Sequence, residues 1–197
     1  MSDSVGPQWN APGWSLSVEA AFYALFPTLA PAFAMRWARR PILTGLALWS
    51  ATAAVPAAYC LLAARPYLSP LGAGQPTMTL TAISYFPVLH LPEFLIGVMA
   101  GRLFLDHDAE RSASSRAAWG RTADVLVVAY PLILALTPAL PYPVLHNGLL
   151  APFYALLIYA LAAGDGLGSR LLGTSAILLL GEASYALYLL HLPLLGR

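Results

Sequence analysis

Three polar sets stand inside long apolar stretches of this 197-residue chain. The first is Glu19, in GWSLSVEAAFY (13–23). Ser15 is placed one turn earlier as an N-cap, and on a helix Glu19, Phe22, Tyr23 and Phe26 share a face. The helix dipole favours an anion in the first turns. Such a carboxylate can orient a histidine, hold a substrate hydroxyl or accept a proton; the plainer reading is a cap or a tie between helices. The second set is His90 and Glu93 in FPVLHLPEFLIGVMAG (86–101). At i and i+3 they face one way together, either onto a substrate or into a packing network. Gly97 and Gly101 continue that segment as a GxxxG pair suited to close helix packing, and Pro92 should kink or start the helix.

The third set is Ser184, Tyr188 and His191 in LGEASYALYLLHLPLL (180–195). Ser184 and His191 are separated by about 10.5 Å of helical rise, too far for a Ser–His dyad. Tyr188 and His191 read instead as a polar edge near the outer membrane interface. His146, after PYP, also reads as interfacial. The four histidines lack metal-ligand spacing, which argues against a metal.

These groups need elements to position them, and the composition says which. Of the residues 59% are hydrophobic and only 10% charged, against about 25% charged in soluble domains. The chain is therefore read as an all-α, polytopic transmembrane helix bundle. A net charge of +1 gives no sign of a nucleic-acid partner, and the single Cys60 excludes an internal disulfide. Six apolar segments are long enough to span: 16–35, 42–64, 84–105, 122–140, 144–163 and 175–195. The third and fifth each hold a histidine and an internal proline. Breakers and charges mark the linkers, among them a charged loop at 106–121.

Arginine placement sets the orientation. Arg36, Arg39, Arg40, Arg102, Arg111, Arg116, Arg121 and Arg170 fall on one side, which the positive-inside rule makes cytoplasmic. Both chain ends then face outward, including the polar tail 1–13. A tail of that kind with no earlier helix to lead it implies further helices before Met1, so residues 1–197 are expected to form one partial transmembrane domain.

Three stretches together resemble the membrane acyltransferase-3 family. WSLSVEAAFYALFP (14–27) is similar to its WSLSVE-x-x-FY-x-x-x-P signature, FPVLHLPEFLIGVMAGRL (86–103) to its EFLxGxxxG segment, and LGEASYALYLLHLPLL (180–195) to its closing LGxxSYxLYLxHxPL helix. They occur in the family's order. His90 stands where the family commonly has Arg, and Ala20 and Ala21 stand where it usually has polar side chains. The resemblance covers roughly the second half of a family member. The first-helix histidine and early arginines of the family have no counterpart here.

The resemblance implies transfer of an acyl group, typically acetyl from acetyl-CoA, to a hydroxyl of a cell-surface glycan or related acceptor. Acyl-CoA is then a co-substrate, with no bound cofactor, and the bacterial inner membrane is the location. By motif Glu19 is the catalytic carboxylate, with Ser15, Tyr23, His90, Glu93, Tyr188 and His191 as substrate-binding residues. A histidine outside this chain would be the base that Glu19 orients, and the chain alone should show little or no activity. The alternatives are a transporter or permease subunit, since membrane acids and histidines also build proton relays, and an inactive remnant of a truncated acyltransferase.

Overall fold

A computed structural model of the chain describes residues 13–36, 40–62 and 78–195. Most of the expected tail (1–13) and the linker at 65–77 lie outside the described residues. Nine α-helices and a 3-10 turn make up the rest, with no strand among the described residues. The helices are α1 (Gly13–Arg36), α2 (Pro41–Leu62), α3 (Met78–Tyr85), α4 (Pro87–Asp108), α5 (Ala113–Leu136), α6 (Tyr142–His146), α7 (Ala151–Ala163), α8 (Leu167–Leu172) and α9 (Ser175–Leu195). The 3-10 turn, Thr137–Ala139, continues α5.

Among the described residues four stretches are long and apolar enough to cross a membrane: Pro41–Leu62, Met78–Asp108, Ala113–Ala139 and Tyr142–Ala163. The all-α membrane bundle is thus observed, with a smaller set of clear spans than the six expected. The other two expected spans are helical as α1 and α9, but among the described residues the apolar part of α9 is the shorter Ser175–Tyr188. Apolar side chains cover the outside: Leu62 is 87% exposed and Val128 78%. A surface of this kind suits hydrocarbon, where the backbone must satisfy itself internally. That constraint also carries helices through Pro27 and Pro31 in α1, Pro56 in α2 and Pro131 in α5.

The spans holding a histidine and a proline are both broken. The third begins earlier than expected, as α3, and bends at Phe86, whose φ −77° and ψ 119° are extended. A residue before proline is driven out of the helical region, and Pro87 then opens α4 with its missing N–H at no cost. Pro92 lies within α4 and does not start it. The fifth span opens with α6 after Pro141, turns at residues 147–150 and resumes as α7. The charged segment 106–121 is mostly helix: α4 runs to Asp108, α5 starts at Ala113, and Ser112 Oγ caps it by accepting from Ser115 N at 3.2 Å. Charge there solvates helix ends and does not break them.

Helix α4 is the centre. It packs on α1, α2 and α7, while α5 packs on α7 and α8. Aromatic contacts fix these pairings, with Phe22 of α1 stacked on Phe94 of α4 at 5.0 Å and Trp119 of α5 edge-on to Tyr159 of α7 at 4.8 Å. Asp124 of α5 holds the start of α8, accepting from Gly168 N at 2.6 Å and Leu167 N at 3.2 Å. A carboxylate of α5 thus caps a different helix.

Candidate functional site

The break at Phe86 has a chemical consequence. In an unbroken helix the Ser84 carbonyl would accept from the amide four residues on. Here α3 ends at Tyr85, and that carbonyl turns to two histidines. His90 Nε2 donates to it at 2.9 Å and His146 Nε2 at 3.0 Å. A carbonyl only accepts, so the network assigns the Nε2 proton on both rings.

The other ring nitrogens have different partners. His90 Nδ1 meets Glu93 Oε1 at 3.1 Å, so ring and carboxylate share a proton between them. His146 Nδ1 accepts from the Tyr142 hydroxyl at 3.1 Å. The result is a continuous chain: Tyr142, His146, the Ser84 carbonyl, His90, Glu93. The two imidazoles meet edge to face at 5.8 Å. His90 and Ser84 are buried, and Glu93 is partly open.

The α6–α7 turn presses on this chain from the far side. Gly148 has φ +77°, and a Cβ there would lie 2.5 Å from Glu93 Cγ. Only glycine can bring the backbone so close. Beside it Asn147 is fully buried; its Nδ2 donates to Pro143 O at 2.8 Å, and its Oδ1 has no partner among the described residues. Glu93, His146 and Gly148 together line a cavity of about 460 Å³ whose other walls include Leu134, Tyr154 and Ile158. Convergent polar groups in a mostly apolar hollow of this size suit a small-molecule site.

Glu19 lies at similar depth on α1. It is three residues before Phe22, as Glu93 is one residue before Phe94, and the two phenylalanines stack. Its neighbours are nevertheless tyrosines of α9. Tyr185 lies in the field of its carboxylate, and Tyr188 donates to Ser15 at 3.4 Å. Ser15 stands inside α1 and not at its cap, since the helix starts at Gly13. Glu19 is half-buried and lines neither the 460 Å³ cavity nor the larger one of about 820 Å³ described below. Tyr23 is 67% exposed and turns away from the Phe22–Phe94 contact. The side chain of His191 lies outside the described residues, and Ser184 donates to Gly181 O of its own helix at 2.7 Å.

The structure thus brings His90 and Glu93 together as expected from their spacing. It places Glu19, Ser15 and Tyr188 in a second group, between α1 and α9. Sequence reasoning missed His146, Tyr142 and the Ser84 carbonyl. His146 is no bare interfacial ring; it joins His90 through a shared acceptor 62 positions earlier in the chain. The usable signal was the coincidence of His and Pro in two spans, which marks broken helices with spare backbone acceptors. No group of three or more His, Cys, Asp or Glu suited to a metal occurs among the described residues.

A helix bundle with apolar spans and a buried relay of acid, imidazoles and phenol defines the class as a polytopic membrane protein with a polar site at its core. Residues 1–196 match the acyltransferase domain model of the acyltransferase-3 family, and the chain belongs to that family. It is 31% identical over 189 residues to acyltransferase MdmB of Streptomyces mycarofaciens, covering 93% of this chain and 44% of that relative. The chain therefore spans under half the length of the curated relative it matches. No solved structure matches it.

Proposed function

We propose that the chain serves a membrane O-acyltransferase, moving an acetyl or other acyl group from acyl-CoA to a hydroxyl of a cell-surface glycan or related acceptor. The bacterial inner membrane is the setting, with acyl-CoA on the arginine-rich side. The observation that carries the reading is the joint placement of Glu93 and His146 on one cavity, His146 bonded to the Ser84 carbonyl through its Nε2 and Glu93 linked to the same carbonyl through His90.

The acceptor hydroxyl enters that cavity and hydrogen-bonds to Glu93. A base takes its proton as the oxygen attacks the thioester carbonyl; the C–S bond then breaks, and the coenzyme A thiolate leaves and is protonated. The bond between His90 Nδ1 and Oε1 keeps the Glu93 carboxyl group in place. Glu19, by its motif, orients a histidine base supplied from outside this chain and stabilises its charged form, as the carboxylate of a hydrolase triad does.

The test is acetyl-CoA-dependent release of coenzyme A thiol in membranes that carry the chain, alone and together with the N-terminal half of a longer family member. The pair should turn over and the chain alone should not. Glu19→Gln and Glu93→Gln should each lower turnover of the pair by on the order of 10². Full turnover by both variants would end this reading.

A further inference from the structure

The arginine-rich end of the bundle holds a larger cavity, about 820 Å³, between α2, α4, α7 and the start of α5. It adjoins the histidine cavity, since Ile96 and Ala155 line both, but its arginine end is far from His90 and His146: Glu93 and Asp108 are separated by about 22 Å of helical rise along α4. Its walls are mainly apolar, with Trp49, Met99 and Leu103 among them, and its polar end is formed by His107, Glu110, Arg111 and two serines. Arg111 is the buried member of that end. Its side chain is only 2% exposed, its Nη1 donates to Asp108 at 2.9 Å, and its guanidinium lies over the Phe104 ring at 4.9 Å. Its Nη2 is buried and has no hydrogen-bond partner among the described residues.

A charged donor buried without an acceptor is strongly unfavourable. The cavity therefore suits an occupant that brings an oxygen to Nη2. The hydroxyls of Ser112 and Ser115, at the start of α5, lie on the same lining, and no acidic residue stands in the first turn of that helix. The rim indicates how the occupant arrives. Ile42 and Leu46 of α2 are 78% and 52% exposed, and Leu156 of α7 is exposed beside them. These residues belong to spans whose outer surface suits lipid, so the hollow opens sideways onto hydrocarbon.

We propose that this cavity holds an acyl chain of a membrane phospholipid, with a phosphate oxygen accepting from Arg111 Nη2. The apolar walls take the tail, the guanidinium takes the head, and the serine hydroxyls lie within the headgroup region. Asp108 takes Nη1 and leaves Nη2 for the ligand. This assignment does not depend on the identity of the acyl donor.

The experiment is native mass spectrometry of the full chain in detergent, titrated with palmitoyl-oleoyl phosphatidylglycerol and with the matching diacylglycerol, which lacks phosphate. Phosphatidylglycerol should bind about tenfold more tightly than diacylglycerol, the effect of one charge-assisted hydrogen bond. Arg111→Gln should bring phosphatidylglycerol down to the diacylglycerol level. Ala100→Phe, which fills the cavity and leaves the Arg111–Asp108 pair intact, should abolish binding of both, and it decides the matter if Arg111→Gln fails to fold. Equal binding of the two lipids, binding unchanged in the folded variants, or no lipid binding at all would each overturn the proposal. Displacement by coenzyme A or by inorganic phosphate would give the cavity to a soluble ligand and overturn it equally.

Discussion

Gly148→Ala asks whether the turn between α6 and α7 holds the Glu93 carboxylate in place. At φ +77°, any residue with a Cβ loses about 1–2 kcal/mol to left-handed strain. The new methyl would also stand 2.5 Å from Glu93 Cγ and 2.6 Å from Cδ. Glu93 must swing away, and its 3.1 Å bond to His90 breaks. Polar contacts between membrane helices contribute about 0.6 kcal/mol on average and about 1.7 at most. The whole penalty is then about 2–4 kcal/mol. In a Glu93→Ala background no carboxylate remains to displace, and the penalty should fall to the strain alone, about 1–2 kcal/mol. Unfolding by sodium dodecyl sulfate in mixed micelles, followed by circular dichroism, measures the four corners of this cycle. Equal penalties in the two backgrounds would show that the turn does not act on Glu93, and the account of a backbone-braced acid would fail.

Substitutions at four further positions test the packing and the relay. His90→Phe and His146→Phe should each cost about 1–2 kcal/mol in the same titration, and the double variant less than their sum, because both rings donate to one carbonyl. Gly120→Ala puts a methyl 2.5 Å from the Gly166 backbone nitrogen; backbone cannot step aside, so the loss should be about 1–3 kcal/mol, or visible failure to accumulate in membranes. Asp124→Ala removes the acceptor from Leu167 N and Gly168 N and should cost about 1–2 kcal/mol, with Asp124→Asn recovering part of it, read as a shift in thermal unfolding in detergent.

Much of the architecture was legible because membrane helices obey a length rule. Segments of about 20 apolar residues marked the spans, and α2, α4, α5 and α7 fall where those segments lie. Boundaries were less legible where charge was taken for loop. Residues 113–121 look solvated, yet they continue α5 inward, since Ser112 caps them and arginine is a good helix former. Within the site, the spacing of His90 and Glu93 sufficed to pair them, because i and i+3 on a helix are neighbours whatever the fold. His146 could not be paired in the same way. Its partner is a backbone carbonyl, and backbone acceptors carry no residue code.

What makes that carbonyl available is nonetheless written in the chain. Pro87 cannot donate an amide, and it holds Phe86 extended, so α3 ends with acceptors turned inward. Pro141 opens α6 and Gly148 interrupts the fifth span, and together they bring His146 to the opening. In lipid a freed acceptor must find a donor within the protein. Two histidines supply it, and in doing so each has one ring nitrogen fixed and the other directed away, toward Glu93 in one case and Tyr142 in the other. The helix breaks and the polar relay are therefore one feature of the structure: the backbone acceptor that the breaks expose sets the tautomer of both rings. A variant that restores continuous helix across residues 84–90 would remove the acceptor and release both imidazoles, even with every side chain of the relay still present.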